Sequence, residues 1–193
     1  MAKQERNPEI IRFLYRVIQT FVRILFRILF GLKIEGRENV PKSGSLILAT
    51  NHKSWFDPPI AGSCCPREIY FAAKKDLFSI PIIGTIIRYL NSIPIRRSGS
   101  DKEAILKLIK ALKDGYGIII FPEGTRFSDD ILHTAKPGVG LIAVRSEATI
   151  VPTYISGSNR LLEQIWRRKL RIIFGKPFSI SNLNLDNKTG KTA

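Results

Sequence analysis

The feature that most constrains the fold of this chain is an unbroken apolar run at residues 117–121. The run reads Gly-Ile-Ile-Ile-Phe and is bounded by glycine and by Pro122. A strand with apolar side chains on both faces needs cover on both sides, as the strands of parallel sheets in α/β proteins have. The run therefore predicts a central, buried strand.

Predicted strands and helices alternate on either side of this run. Residues 45–50 have the pattern of a buried strand, and residues 102–113 have the apolar periodicity of a helix that packs on a sheet. We expect a further helix to open at Gly138 and further strands at residues 33–36, 149–152 and 170–174. This alternation indicates an α/β sandwich, with a largely parallel or mixed sheet flanked by helices.

The chain length predicts a single catalytic domain with short additions at its ends. A chain of 193 residues can bury one core and is too short for two comfortable domains. We expect an N-terminal helix within residues 1–33, the α/β domain in residues 34–180 and a polar tail in residues 181–193. The tail has few apolar anchors.

The N-terminal segment, residues 9–32, is strongly apolar but carries four arginines. At about 100° per residue, Arg12, Arg16, Arg23 and Arg27 fall within about 60° of one another on a helix. One arginine at the centre of a bilayer costs roughly 2.5 kcal/mol or more, which disfavours a membrane-spanning helix. The stripe instead predicts an amphipathic helix on a membrane surface, with its arginines toward lipid phosphates. Periodicity leaves open the alternative that the helix docks on the protein's own core.

The charge of the chain predicts anionic partners. Lys and Arg outnumber Asp and Glu by 31 to 16, a formal net charge of +15. Nucleic acid is disfavoured as the partner, because many of the arginines lie in the apolar N-terminal segment and no zinc-finger spacing or RRM-type aromatic signature is present. An anionic membrane surface and phosphorylated substrates remain as the predicted partners.

Cysteine and histidine usage indicates a reducing compartment and no metal site. Cys64 and Cys65 are adjacent, which matches none of the spacings of zinc or redox motifs. His52 and His133 are the only histidines and lie far apart in the sequence. With the N-terminal helix, this predicts a peripheral protein on the cytoplasmic face of the cell membrane.

Polar residues follow the predicted strand at 45–50. From residue 51 they read Asn-His-Lys-Ser-Trp-Phe-Asp-Pro. In a regular helix His52 and Asp57 would point roughly 140° apart, so they can meet only where the chain bends. If they meet, Asp57 would orient the imidazole and leave its other nitrogen free as a general base. Alone, such a pair is more often a cap or a satisfied polar residue.

A second polar segment, residues 121–126, follows the central strand and reads Phe-Pro-Glu-Gly-Thr-Arg. The strand ends of α/β proteins expose ligand-binding residues. Gly124 lets the backbone approach a ligand, and the planar fork of Arg126 matches phosphate oxygens. An ion pair between Glu123 and Arg126 is the alternative for this segment taken alone.

Together, the two segments resemble glycerolipid acyltransferases of the 1-acylglycerol-3-phosphate acyltransferase type. Residues 51–58 match the first family motif, Asn-His-x-Ser-x-x-Asp-Pro, and residues 121–126 match the third in full. Residues 91–97 match the second motif with Asn91 in place of a glycine, and Val151-Pro152 match the fourth. The departure at Asn91 leaves open whether Arg96 or Arg97 binds phosphate, and we prefer Arg97. Phe127 stands where a serine is common.

The resemblance covers residues 34–157 and implies an acyl transfer. A fatty acyl group passes from acyl-CoA or acyl-carrier protein to the sn-2 hydroxyl of 1-acylglycerol 3-phosphate (lysophosphatidic acid), which gives phosphatidic acid without a metal or cofactor. The resemblance implies that His52 is the general base, oriented by Asp57. The implied substrate-binding residues are Arg97, Glu123, Gly124, Thr125 and Arg126. The alternatives are another acceptor, such as glycerol 3-phosphate or a different lysolipid, and a non-catalytic lipid-binding module.

Overall fold

The computed structural model describes residues 8–89, 91–95, 102–127, 129, 131 and 133–180. Its helices are α1 (Pro8–Phe30), α2 (Asp57–Cys64), α3 (Pro81–Tyr89), α4 (Lys102–Lys113), α5 (Pro137–Ser146) and α6 (Gln164–Arg167). Its strands are β1 (Lys33–Glu35), β2 (Leu46–Thr50), β3 (Ile69–Lys74), β4 (Ser92–Ile95), β5 (Gly117–Ile120), β6 (Thr149–Ser156), β7 (Arg171–Phe174) and β8 (Phe178–Ser179). Short 3₁₀ helices lie at Arg37–Asn39, Lys75–Ser79 and Ser158–Glu163. Arg96, Arg97 and the predicted polar tail lie outside the described residues.

The described strands form one mixed sheet in the order β1-β7-β6-β2-β5-β3-β4, and β8 pairs with β6. The pairs β2·β5, β2·β6, β3·β5 and β3·β4 are parallel. β7 runs antiparallel to β6 and parallel to β1. The predicted α/β fold with a mixed sheet is therefore confirmed, and the run at 117–121 supplies β5, an interior strand between β2 and β3.

Helices cover both faces of the sheet, so two apolar layers form the core. Leu46 and Leu48 of β2 pack with α2 on one face, whereas Ile47 packs with α4 and α5 on the other. In β5, Ile119 packs on the face covered by α2, and Ile118 packs on the face covered by α4 and α5. Since successive side chains of a strand point to opposite faces, a strand covered on both sides is apolar at every position.

Sequence patterns did not predict β3 or β8, and they placed the end of β6 too early. β3 lies next to the edge strand β4, and half of its side chains are only partly buried. β8 is too short to carry a pattern. The strand predicted to end at Pro152 continues to Ser156, because its second half pairs with β7.

α1 docks on the domain along a narrow stripe and leaves most of its apolar side chains in solvent. Tyr15 and Phe26 are buried, and Gln19 Nε2 donates hydrogen bonds to the carbonyls of Gly62 and Cys65, each at 2.9 Å. The opposite face exposes Ile10, Phe13, Val17, Phe21, Ile24 and Ile28. The alternative that α1 docks on the protein's own core thus holds for one face of the helix. Its second apolar face is not covered by the domain. Within the described residues, no helix is long and apolar enough to cross a membrane.

Candidate active site

The chain bends between β2 and α2 and brings His52 to Asp57. β2 ends at Thr50, a loop follows, and Asp57 begins α2. His52 Nδ1 lies 2.9 Å from Asp57 Oδ2. Since an ionised carboxylate can only accept hydrogen bonds, Nδ1 is the donor to Asp57, and in the neutral imidazole Nε2 then keeps its lone pair.

Asp57 is rigidly held. Its side chain is fully buried, and Oδ2 also accepts the backbone N–H groups of Lys53 at 2.6 Å and Ser54 at 2.7 Å. The carboxylate lies in the first turn of α2, where the helix dipole favours a negative charge. Three donors and the helix terminus therefore fix the oxygen that orients His52.

The two polar segments predicted from the sequence meet at one edge of the sheet. β2 and β5 are parallel neighbours, so the loops that follow them start at the same edge. The His52 ring stacks on the Phe121 ring with centroids 4.0 Å apart, and the His52 carbonyl accepts the Phe127 N–H at 3.0 Å. Asn51 ties the first loop to β6, because its side chain exchanges two hydrogen bonds with the backbone of Ile155.

Arg126 is held by an aromatic ring, which sequence reasoning missed. Its guanidinium carbon lies 3.6 Å from the centroid of the Trp55 ring, a cation–π contact. Glu123 and Arg126 are both described and form no ion pair with each other, so the ion-pair alternative does not hold. Trp55 is 61% exposed and lies three residues after His52. The available signal was Trp55 itself, which lies between His52 and Asp57 at a position where the first family motif allows any residue.

The loop after β5 turns sharply at Gly124. This residue has φ +67°, and its N–H donates to the Phe121 carbonyl at 3.0 Å. A Cβ at Gly124 would lie 2.7 Å from Cδ and Cε of Lys136, whose side chain crosses the turn. Lys136 was not among the predicted site residues. Of those predicted, Glu123, Gly124, Thr125 and Arg126 lie together on this loop, whereas Arg97 lies outside the described residues.

An apolar cavity of about 540 Å³ opens beside His52. Trp55 and Gly124 line it together with His52, and residues of α1, α2, α3, β3 and β5 line most of the remainder. Leu77, from the 3₁₀ helix at Lys75–Ser79, and Ile86 of α3 are among the lining residues. A cavity of this size, lined mainly by apolar residues, suits an apolar ligand.

The second histidine also pairs with a carboxylate. His133 Nε2 lies 2.9 Å from Asp129 Oδ1, and this hydrogen bond lowers the pKa of Asp129. The His133 ring stacks on Phe127 with centroids 3.5 Å apart. Across the described residues, no group of three or more His, Cys, Asp or Glu side chains could hold a metal ion.

Comparisons with known proteins identify the family of the chain. A family model described as Acyltransferase matches residues 31–156. The 1-acyl-sn-glycerol-3-phosphate acyltransferase of Bacillus subtilis (strain 168) is 30% identical over 165 residues, which are 85% of this chain and 82% of that protein. The enzyme of that name from Streptococcus pneumoniae (strain ATCC BAA-255 / R6) is 31% identical over 183 residues, 91% of this chain and 68% of that protein.

A solved structure shares both the fold and part of the sequence. The crystal structure of the 1-acyl-sn-glycerophosphate (LPA) acyltransferase PlsC from Thermotoga maritima superposes with a TM-score of 0.75 and 28% sequence identity. The match covers 95% of this chain and 77% of that one. The chain belongs to the acyltransferase family and is an enzyme of the 1-acylglycerol-3-phosphate O-acyltransferase type.

Proposed function

We propose that this enzyme transfers a fatty acyl group from acyl-CoA or acyl-carrier protein to the sn-2 hydroxyl of 1-acylglycerol 3-phosphate, forming phosphatidic acid. The observation that carries the proposal is the position of His52. Its Nδ1 is occupied by Asp57, and its ring lines an apolar cavity of about 540 Å³. A proton acceptor therefore lies beside a compartment that suits an acyl chain.

In the reaction, His52 Nε2 takes the proton of the acceptor hydroxyl as its oxygen attacks the thioester carbonyl. The carbon–sulfur bond then breaks, and the thiol leaves with the proton that the imidazolium returns. Asp57 stabilises the imidazolium between these two steps. General base catalysis of this kind contributes roughly 10²- to 10⁴-fold to the rate. No metal ion or cofactor takes part in this proposal.

The acceptor phosphate binds to the loop after β5. Arg126 provides the charge, and Glu123, Gly124 and Thr125 shape the loop around it; Arg97 is the second cation in the proposal. The face of the Arg126 guanidinium stacks on Trp55, and its edge carries the N–H groups that match phosphate oxygens. Stacking and phosphate binding therefore use different parts of the same group.

The acyl chain of the donor enters the apolar cavity. Each methylene group buried there contributes about 0.8 kcal/mol. Leu77, Ile86 and Ile119 are among the apolar residues that line the cavity. This burial favours long-chain donors and holds the thioester carbonyl near His52.

The uncovered face of α1 binds the membrane surface from which the acceptor comes. Its apolar side chains enter the acyl region, and Arg12, Arg16, Arg23 and Arg27 lie near the lipid phosphates. In this proposal residues 1–33 form the membrane-binding part of a peripheral enzyme on the cytoplasmic face, and residues 34–180 form the acyltransferase domain.

The decisive experiment measures thiol release from long-chain acyl-CoAs, with and without lysophosphatidate in mixed micelles. Wild-type enzyme should release thiol only with the acceptor present, and His52→Ala should lose at least 10²-fold in rate. His133→Ala is the matched control, since it also removes a histidine from a carboxylate pair. It should retain most activity.

Other outcomes would change the assignment. Full activity in His52→Ala would exclude the general-base role. Without acceptor-dependent release, acyl-carrier-protein donors and other lysolipids are tested next. Failure with all of them would leave a lipid-binding module without catalysis.

A further inference from the structure

The connection between β6 and β7 exposes a second apolar surface, which we call the α6 patch. It consists of Leu162, Ile165 and Trp166 with the basic residues Arg160, Arg167, Arg168 and Lys169. Leu162, Ile165 and Trp166 are 79%, 43% and 87% exposed, and Trp166 is the most exposed large apolar side chain in the described part of the chain. Contiguous apolar exposure of this kind marks an interaction surface.

The patch is held in a defined conformation. Leu161 and Gln164 are buried beneath it. Gln164 Oε1 accepts the Lys169 N–H at 3.0 Å, and Gln164 Nε2 donates to the Arg160 carbonyl at 3.3 Å. In α6, two residues separate side chains by about 200°, so Trp166 points away from the buried Gln164. The exposure of Trp166 therefore follows from the way the segment is anchored.

The α6 patch lies directly against the C-terminal end of α1. The Arg168 guanidinium donates to the carbonyls of Ile28 at 3.0 Å and Arg27 at 3.5 Å, which are among the last carbonyls of α1. At Gly31, with φ +64°, a Cβ would lie 2.6 Å from Arg168 Cβ. The patch therefore adjoins the end of α1 where Ile24 and Ile28 are exposed.

The charge of the segment complements an anionic surface. Residues 160–169 contain four basic side chains and one acidic one, Glu163, so 4 − 1 leaves a net charge of +3. Glu163 lies 3.6 Å from Arg167 and 4.0 Å from Arg160. Tryptophan is enriched at the headgroup level of membranes, and basic residues near an anionic leaflet are attracted to it. An exposed Trp and Leu surrounded by Arg and Lys match that zone.

We propose that the α6 patch is a second membrane-binding surface, which contacts anionic lipid headgroups alongside α1. The inference rests on the proposed membrane binding by α1. Because α1 contacts the lipid surface along a narrow stripe, the domain can still tilt by rotation about the helix axis within the width of the apolar face. A second contact beside its end removes that rotation, and the cavity mouth then keeps a constant orientation to the lipid surface.

The first test follows Trp166 fluorescence in a Trp55→Phe background, where Trp166 is the only tryptophan. The vesicles are phosphatidylcholine alone or phosphatidylcholine mixed with phosphatidylglycerol, and co-sedimentation measures binding in parallel. On the mixed vesicles, Trp166 emission should shift to shorter wavelength and be quenched by brominated lipids. Unchanged emission on vesicles that co-sediment with the protein would overturn the inference and leave the proposed membrane binding by α1 intact.

A second test compares matched variants in the same co-sedimentation assay. Arg167→Gln and Lys169→Gln should each weaken binding to the mixed vesicles by about five-fold, and Trp166→Ala should weaken it on both kinds of vesicle. Lys113→Gln and Leu106→Ala are the controls, because α4 covers the opposite face of the sheet from α1. Equal effects in the controls, or wild-type protein that does not bind at all, would also reject the inference. The second of these results would reject the proposed role of α1 as well.

Discussion

At the residue scale, the contact between Arg126 and Trp55 links the two motif loops. Trp55 belongs to the loop after β2, and Arg126 belongs to the loop after β5. The ring restricts the guanidinium to one plane, whereas an exposed arginine otherwise samples many rotamers. This pre-organisation gives Trp55 a positioning role in the proposed capture of the acceptor phosphate.

Trp55→Ala should therefore raise the KM for lysophosphatidate and change kcat much less. A cation–π contact contributes about 0.5–2 kcal/mol, which corresponds to roughly 2- to 30-fold in KM. Steady-state kinetics at varied concentrations of lysophosphatidate measure the changes in KM and kcat separately. Trp55→Phe keeps a ring and should restore most of the loss. In an Arg126→Ala background, Trp55→Ala should add little; a full additional effect would show that the ring acts independently of Arg126.

Gly124 provides a second prediction at this scale. Because its φ is +67°, Gly124→Ala should destabilise the protein by roughly 1–2 kcal/mol. The end of the Lys136 side chain can move aside, so backbone strain is the main cost. The midpoint of urea unfolding measures the change.

Gly138→Ala in α5 is the matched control for this substitution. A Cβ there meets nothing within 4 Å, and the backbone has no positive φ, so the change should be neutral or slightly stabilising. Equal stability of the two variants would contradict the role assigned to the turn.

At the scale of elements, α1 has two apolar faces with different neighbours. The face with Tyr15, Gln19 and Phe26 packs on α2 and β3, and the opposite face is exposed. Arg12, Arg16 and Arg27 are exposed, and Arg23 is half-buried. α1 therefore has one face docked on the domain, a side with basic residues and a free apolar face. A helix with these three faces can join the domain to a lipid surface.

Replacing Arg12, Arg16, Arg23 and Arg27 by Gln should weaken binding to anionic vesicles. Each basic residue near such a surface contributes about 1 kcal/mol. Co-sedimentation with phosphatidylglycerol vesicles at low and high salt measures the effect, which should shrink at high salt. Circular dichroism checks that the variant stays folded. Binding equal to that of the wild type at low salt would leave α1 with its docking role alone.

At the scale of the whole molecule, two buried thiols and one buried phenol lie in the core layer where α1 packs on α2. Burial raises the pKa of Cys64 to about 12 and that of Cys65 to about 11. Burial also raises the pKa of Tyr15, whose hydroxyl lies within hydrogen-bond distance of the Ile69 backbone. The folded protein therefore keeps protons that the unfolded chain releases.

Folding stability should consequently fall as the pH rises above about 9, where the thiols of the unfolded chain begin to ionise. The free energy of unfolding, from urea titrations at pH 7.5 and pH 10, measures the loss. In the double variant Cys64→Ala, Cys65→Ala, the free energy of unfolding should fall less between pH 7.5 and pH 10. The native thiols should also react slowly with a disulfide reagent at pH 8. Fast reaction of the native thiols, or an equal pH dependence of stability in the wild type and the double variant, would contradict the burial of Cys64 and Cys65.

Several parts of the fold and the site follow from local sequence. Apolar side chains at every position of residues 117–121 require cover on both faces, and the structure has helices on both sides of β5. The polar residues after β2 and β5 are continuous in sequence with their strands, so two parallel neighbours bring both loops to one edge. The family motifs and their order could be identified for the same reason, since each lies within a few consecutive residues.

Contacts between distant segments were decided only by the tertiary structure. Periodicity showed that α1 has an apolar surface but could not say which part the domain covers, because a stripe looks the same against protein or lipid. The stacking of Phe121 on His52 and of Trp55 on Arg126 depends on how the strands are ordered. The passage of Lys136 over Gly124 depends on how the loop between β5 and α5 folds back on itself. The sequence alone thus determined the α/β class, the covered faces of β5 and the chemistry of the two loops. Chain topology decided that Phe121 stacks on His52 and that Trp55 holds Arg126, because the two residues of each pair are far apart along the chain.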